Sequence, residues 1–257
     1  MPKSSLPAAN MGISDSQLLM LEKFDTVFLV DDSTSMGYSV YYKEARLFSK
    51  VRSILRWDLA GVALQKFATI AAHYDKDGIE VYFLNSPKYG QNIKTEEEIV
   101  SLFQSVRRSP GTPIGSKLDQ ILKPYLQQIQ EGHSSGKPPK PRNYIILTDG
   151  QPGDGKRLVS LLQETGATLN AYNCPKEQLG LQFVQIGDDE GATAFLESLD
   201  NGAKHFHRDF IDTVKHSPVP GPKGLRGKLG LGHGTSEEDA MVKKLLLGGI
   251  SRWHDAQ

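Results

Sequence analysis

Four short apolar runs, rich in β-branched and aromatic residues, punctuate the chain: Thr26 to Val30 (TVFLV), Ile79 to Leu84 (IEVYFL), Tyr144 to Leu147 (YIIL) and Leu181 to Ile186 (LQFVQI). Runs of this length and character read as strands buried on both faces, as in parallel sheets. The segments between them change to helical spacing. Leu59, Val62, Ala63, Phe67 and Ile70 share one helical face, and Thr95 with Glu98 makes a capping box ahead of Ile99, Leu102 and Phe103. Pro113 occupies a first helical position, and Ile114, Leu118, Ile121, Leu122, Tyr125 and Leu126 continue an apolar stripe. This alternation predicts an α/β fold, a doubly wound, mostly parallel sheet flanked by helices.

Outside these runs the pattern weakens. Residues 1–13 have no periodicity and read as a flexible N-terminal arm, followed by a helix capped at Ser14 or Asp15 with Leu18, Leu19 and Leu21 on its apolar side. A Gly/Pro-rich loop spans 217–234, and Ser236 then caps a helix whose Met241, Val242, Leu245, Leu246, Ile250 and Trp253 would dock on the body. Residues 14–257 therefore read as one domain.

Composition narrows the classes. The 257 residues hold 30 Lys+Arg against 30 Asp+Glu, a balance that gives no electrostatic reason to expect nucleic acid as a partner. No stretch approaches the roughly 18 to 20 apolar residues of a bilayer span, so no membrane insertion is expected. The single cysteine, Cys174, excludes an internal disulfide and a C-x-x-C zinc site, which favours a reducing, cytoplasmic setting.

In open parallel sheets ligands bind beyond the carboxyl ends of the strands. There the chain carries Asp31-Asp32-Ser33-Thr34-Ser35 after the first run, Ser109 to Pro113 ahead of a helix, and Thr148-Asp149-Gly150 after YIIL. These loops contribute acids and hydroxyls but no His or Cys. Such an all-oxygen set suits a hard divalent cation, Mg²⁺ or Mn²⁺. Asp32 reads more simply as a hydrogen-bonding turn residue than as an outer support of the cation. Asp188-Asp189-Glu190 reads as the acidic start of a helix.

D-x-S-x-S after a buried strand, a Thr opening a later helix and an Asp ending a later strand resemble the metal-ion-dependent adhesion site of von Willebrand factor A (vWA) domains. The blocks DTVFLVDDSTSM (25–36), YDKDGIEVYFLN (74–85), GTPIGSKLD (111–119), NYIILTDGQP (143–152), LQFVQIGDD (181–189) and KLLLGGISR (244–252) are similar to intracellular single-domain vWA proteins of fungi. The resemblance implies a Rossmann-like vWA fold with Asp31, Ser33, Ser35, Thr112 and Asp149 as the metal set. It also implies hydroxyls bound directly to the cation, acids acting mostly through water, and an open position that a partner's carboxylate fills. The chain departs from the family in having Thr34 where Gly is usual, and in an insertion at about 37–55 ahead of Arg56-Trp57.

That insertion has two readings. Leu47, Val51, Ile54 and Leu55 have near-helical spacing and suit a surface helix that extends the first one. Alternatively it is a recognition element over the metal, with Tyr38, Tyr41, Tyr42, Lys43 and Arg46 as ligand-contacting candidates. Two functions follow: a metal-dependent binding module that captures a protein or small molecule bearing a carboxylate, or a metal-assisted enzyme whose pocket the insertion completes. No general base or nucleophile is evident for the second. A phosphatase D-x-D loop is absent because Ser33 stands at its second acid, and no P-loop or dinucleotide glycine motif occurs. The histidines are scattered and read as surface or loop residues, although His205 and His207 would share a face on a strand. Cys174 has no recognisable His partner.

Overall fold

The first apolar run forms the centre of the sheet. In the computed structural model, which describes residues 22–43, 51–61, 64–65, 77–202 and 205–216 (backbone alone for 40–43, 51–54 and 216), it is β1, Asp25–Val30, buried at every position after the first. Beyond it come a hairpin of β2 (Ser39–Lys43) and β3 (Val51–Leu55), then helical residues 56–61, β4 (Ile79–Phe83), β5 (Tyr89–Ile93) and α1 (Glu96–Ser105). The chain continues through α2 (Ile114–Ser135), β6 (Arg142–Thr148), α3 (Gly155–Ala171), β7 (Leu179–Ile186), α4 (Glu190–Asp200) and β8 (Ile211–His216).

Six strands join in the order β5-β4-β1-β6-β7-β8, all parallel except β5, which runs antiparallel on β4. From β1 the chain builds outward to β4 and β5, then returns to the other side of β1 to add β6, β7 and β8. The order therefore reverses between β1 and β6, and their carboxyl ends flank the crevice where such sheets place ligands.

Side chains of β1 alternate between two cores. Phe28 and Val30 pack with Met36, Trp57, Phe83, Ile99 and Phe103, under the helical residues 56–61 and α1. Val27 and Leu29 face the opposite layer, which Ile114, Leu118, Leu158 and Leu162 of α2 and α3 complete. Burial on both faces explains why the runs lack a polar side. The Thr95–Glu98 capping box is formed, while Pro113 lies at the N-cap of α2, one position earlier than expected.

Several expectations are corrected. The inserted segment does not extend the following helix: 39–43 and 51–55 pair antiparallel, Ser39 opposite Leu55 and Tyr42 opposite Arg52. SVYYK and VRSIL favour an extended backbone through their β-branched and aromatic residues, and that outweighs the helical spacing. Edge strands β5 (YGQNI) and β8 (IDTVKH) carry no long apolar run and escaped the pattern. His205 and His207 sit in a turn, with His207 at φ 65°, and share no strand face. The arm at 1–13, the helix after Ser14, the loop at 217–234, the helix after Ser236 and Arg46 lie outside the described residues.

Candidate metal centre

Where β1 ends, its backbone still pairs with β6: Asp31 N–H donates to Leu147 O at 2.8 Å. The Asp31 carboxylate turns back on the loop it opens and accepts Ser33 N–H at 2.8 Å. Its other oxygen accepts the Thr148 hydroxyl at 2.7 Å, so one side chain ties the first loop to the end of β6. Asp31 is only 1% exposed. Burial pushes its carboxyl up to about 6, against the lowering effect of the Ser33 and Thr148 hydrogen bonds and with the nearby Asp149 charge adding to the rise.

The loop then winds into a 3-10 turn, Thr34–Gly37, pinned by the buried Met36. This turn brings Ser33 Oγ within 2.9 Å of Ser35 Oγ. Ser35 in turn donates to Asp149 Oδ1 at 2.9 Å. Since the Ser35 proton is committed to Asp149, the Ser33 hydroxyl is the donor to Ser35. Asp149 Oδ2 accepts Arg56 Nη1 at 2.8 Å, and the Asp149 side chain is fully buried. Ser33, Ser35 and Asp149 thus form one oxygen chain, with Asp31 joined to it through the Ser33 backbone.

The second loop is held beside the first by backbone contacts. Ser109 N–H donates to Asp32 O at 2.9 Å, and Ser33 and Ser109 form a single parallel bridge. Asp32 is buried and accepts Asn85 N–H at 2.7 Å, the Asn85 side-chain amide at 3.2 Å and Ser86 N–H at 2.9 Å. The same amide donates to Gly111 O at 2.9 Å. Asp32 is therefore the turn anchor expected of it.

Thr112 is placed from the third loop. Its carbonyl accepts Gly153 N–H at 2.9 Å, and Asp154 caps α2 by accepting Gly115 N–H at 3.0 Å and both Ser116 N–H and Ser116 Oγ at 2.7 Å. No hydrogen bond joins the Thr112 hydroxyl to the other candidate side chains among the described residues. Its loop is nevertheless stitched to both neighbours.

The hairpin rises beside this cluster. Arg56 N–H donates to Tyr38 O at 2.9 Å, so the chain that leaves the site at Tyr38, three positions after Ser35, re-enters it at Arg56. Tyr38 is 66% exposed at the hairpin base. For Tyr41, Tyr42 and Lys43 the backbone alone is described, within β2. On the far side of the crevice, Asp189 caps α4 through Ala192 N–H at 2.6 Å, as expected, and Asp188 lies 3.8 Å from Arg56.

Arg56 was not among the residues expected at the site. Its partner is 93 positions away, and nothing local marks it except its place at the start of a helix directly after the insertion. Asn85 and Asp154 join loops far apart in the chain and were equally silent.

Among the described residues no three His, Cys, Asp or Glu side chains gather in a metal-holding group, so a cation here would depend on the serine and threonine oxygens. The set nonetheless fits a hard cation: hydroxyl and carboxylate oxygens in mutual contact, two acids buried close together, no softer donor. No described helix is long and apolar enough to cross a membrane. A cavity of about 240 Å³ lined by Ile129, His133, Pro139, Tyr172, Cys174 and Gln178 lies at the amino ends of β6 and β7, away from this cluster.

No family model matches the chain, and no curated protein matches its sequence. Among solved structures, the manganese-loaded TRAP protein of Plasmodium vivax is similar at 18% identity, over 76% of this chain and 69% of that one, with a TM-score of 0.38. At that overlap the reading of the site rests on the chain's own geometry.

Proposed function

We propose that the chain is a binding module of the vWA type, related to the intracellular single-domain proteins of fungi, that uses a divalent cation to capture an acidic ligand. The hydroxyls of Ser33, Ser35 and Thr112, with the carboxylates of Asp31 and Asp149, would hold Mg²⁺ or Mn²⁺ in an adhesion-type site. The observation that carries the proposal is the Ser33–Ser35–Asp149 oxygen chain, set at the sheet's switch point and backed by Asp31. A hard cation among neutral hydroxyls retains uncompensated positive charge, which attracts a carboxylate of a protein or small molecule. A cytoplasmic setting belongs to the same proposal, on the ground of the lone Cys174.

Titration calorimetry with Mg²⁺ and Mn²⁺ tests it. Uptake of one ion per chain is expected, with affinity falling by about ten-fold or more in Ser33→Ala and Ser35→Ala and lost in Asp31→Ala. Addition of a glutamate-bearing peptide should give binding only with the cation present. Absence of uptake by the folded wild-type protein overturns the proposal.

A further inference from the structure

One cation already sits at this cluster. Arg56 donates Nη1 to Asp149 Oδ2 at 2.8 Å, while Ser35 occupies Oδ1, so both oxygens of that buried carboxylate are engaged by the chain itself. We infer that Arg56 is a built-in rival of the divalent cation for Asp149, and that it sets the affinity and ion threshold of the centre; the inference rests on the binding reading proposed above.

Three observations support it. The Arg56 side chain is largely buried, 16% exposed, and its Nε–H is buried with no hydrogen-bond partner, so the Asp149 pair dominates its placement. A buried arginine is costly to desolvate and persists where it compensates an opposite charge. Room has been left for it: Gly187 has φ 99°, and a Cβ there would lie 3.0 Å from Arg56 Nε and 3.5 Å from its Cζ. A second carboxylate is also at hand, because Asp188 Oδ1 lies 3.8 Å from Nη2 and its side chain is 79% exposed. The guanidinium can turn toward Asp188 and solvent without losing all compensation. Whether it turns away or stays, a fixed positive charge on Asp149 opposes a second, divalent one on the same group. The inserted hairpin keeps Arg56 at the site, since closure of Ser39 on Leu55 returns the chain there.

The test measures Mg²⁺ and Mn²⁺ affinity by calorimetry in wild type, Arg56→Lys and Arg56→Gln, with thermal unfolding in chelator and in saturating metal. Arg56→Gln is expected to unfold at lower temperature in chelator, because Asp149 loses its partner, yet to bind the ion at least ten-fold more tightly and show a larger metal-induced rise in Tm. Arg56→Lys, which keeps the charge but not the planar fork, should fall between. A purely structural Arg56 would lower stability without tightening the ion, and that result overturns the inference. If Arg56→Gln does not fold in chelator, the wild-type Arg56 Nε–H resonance decides: it should shift in step with metal occupancy, and an unchanged signal at saturation overturns the rivalry. Absence of ion uptake by wild type and both variants would instead remove the binding reading on which it rests.

Discussion

Asp31 shows what this centre asks of a single side chain. Its carboxyl titrates near 6 in the fold against 3.8 in an unfolded chain, because burial outweighs the hydrogen bonds from Ser33 and Thr148. The folded state therefore binds more protons between those values. The stabilising contribution of this group is fully present below about pH 4 and is lost as pH rises through about 6. In chelator, Asp31→Asn should remove that loss. The amide can donate to Thr148 Oγ1, and the Thr148 proton can turn to Gly150 O, 3.3 Å away. The variant should exceed wild type by about 3 kcal/mol at pH 7.5 and match it near pH 4 in urea denaturation, while losing divalent uptake. Equal stability at pH 7.5 would show that the buried charge is not the strain described.

Elements carry the site as much as residues do. α2 has Pro113 at its N-cap and so no side-chain cap of its own; Asp154, from the loop after β6, accepts its free N–H groups instead. Asp154→Ala should cost about 1 to 2 kcal/mol in chemical denaturation, the usual range for a lost cap. It should also weaken the divalent ion through Thr112, although Asp154 is no ligand. Thr112→Val should weaken the ion with a smaller change in stability, and calorimetry separates the two. The hairpin teaches a different lesson. Its sequence satisfied a helical spacing on Leu47, Val51, Ile54 and Leu55 and a strand preference on Val40, Tyr41, Tyr42, Val51 and Ile54, and the pairing of two segments settled it. Helix against strand is hard to decide for short runs because both periods fit a few apolar positions. Likewise β5 and β8 were hidden because edge strands need no continuous apolar run.

Across the molecule, the two cores on either side of the sheet hold β1 and β6 rigid, and their carboxyl ends present the oxygen cluster. Amide hydrogen exchange should be slowest in β1, β6 and β7, buried throughout or nearly so, and faster in the edge strand β5. Saturating Mg²⁺ or Mn²⁺ should slow exchange in 31–36, 109–115 and 148–154 together and leave the far end of α2 unchanged. Protection confined to one loop would count against a shared centre. By itself the sequence determined the strands of the sheet's interior and the acids and hydroxyls at their ends, because burial on both faces and strand-to-loop boundaries are written in neighbouring residues. Only the tertiary structure decided that Arg56 meets Asp149, that Asn85 ties Asp32 to Gly111, and that Asp154 caps α2. Those partners lie 26 to 93 positions apart. Charge pairing and trans capping leave no local pattern, since they depend on which loops the parallel pairing of β1 and β6 brings to one rim.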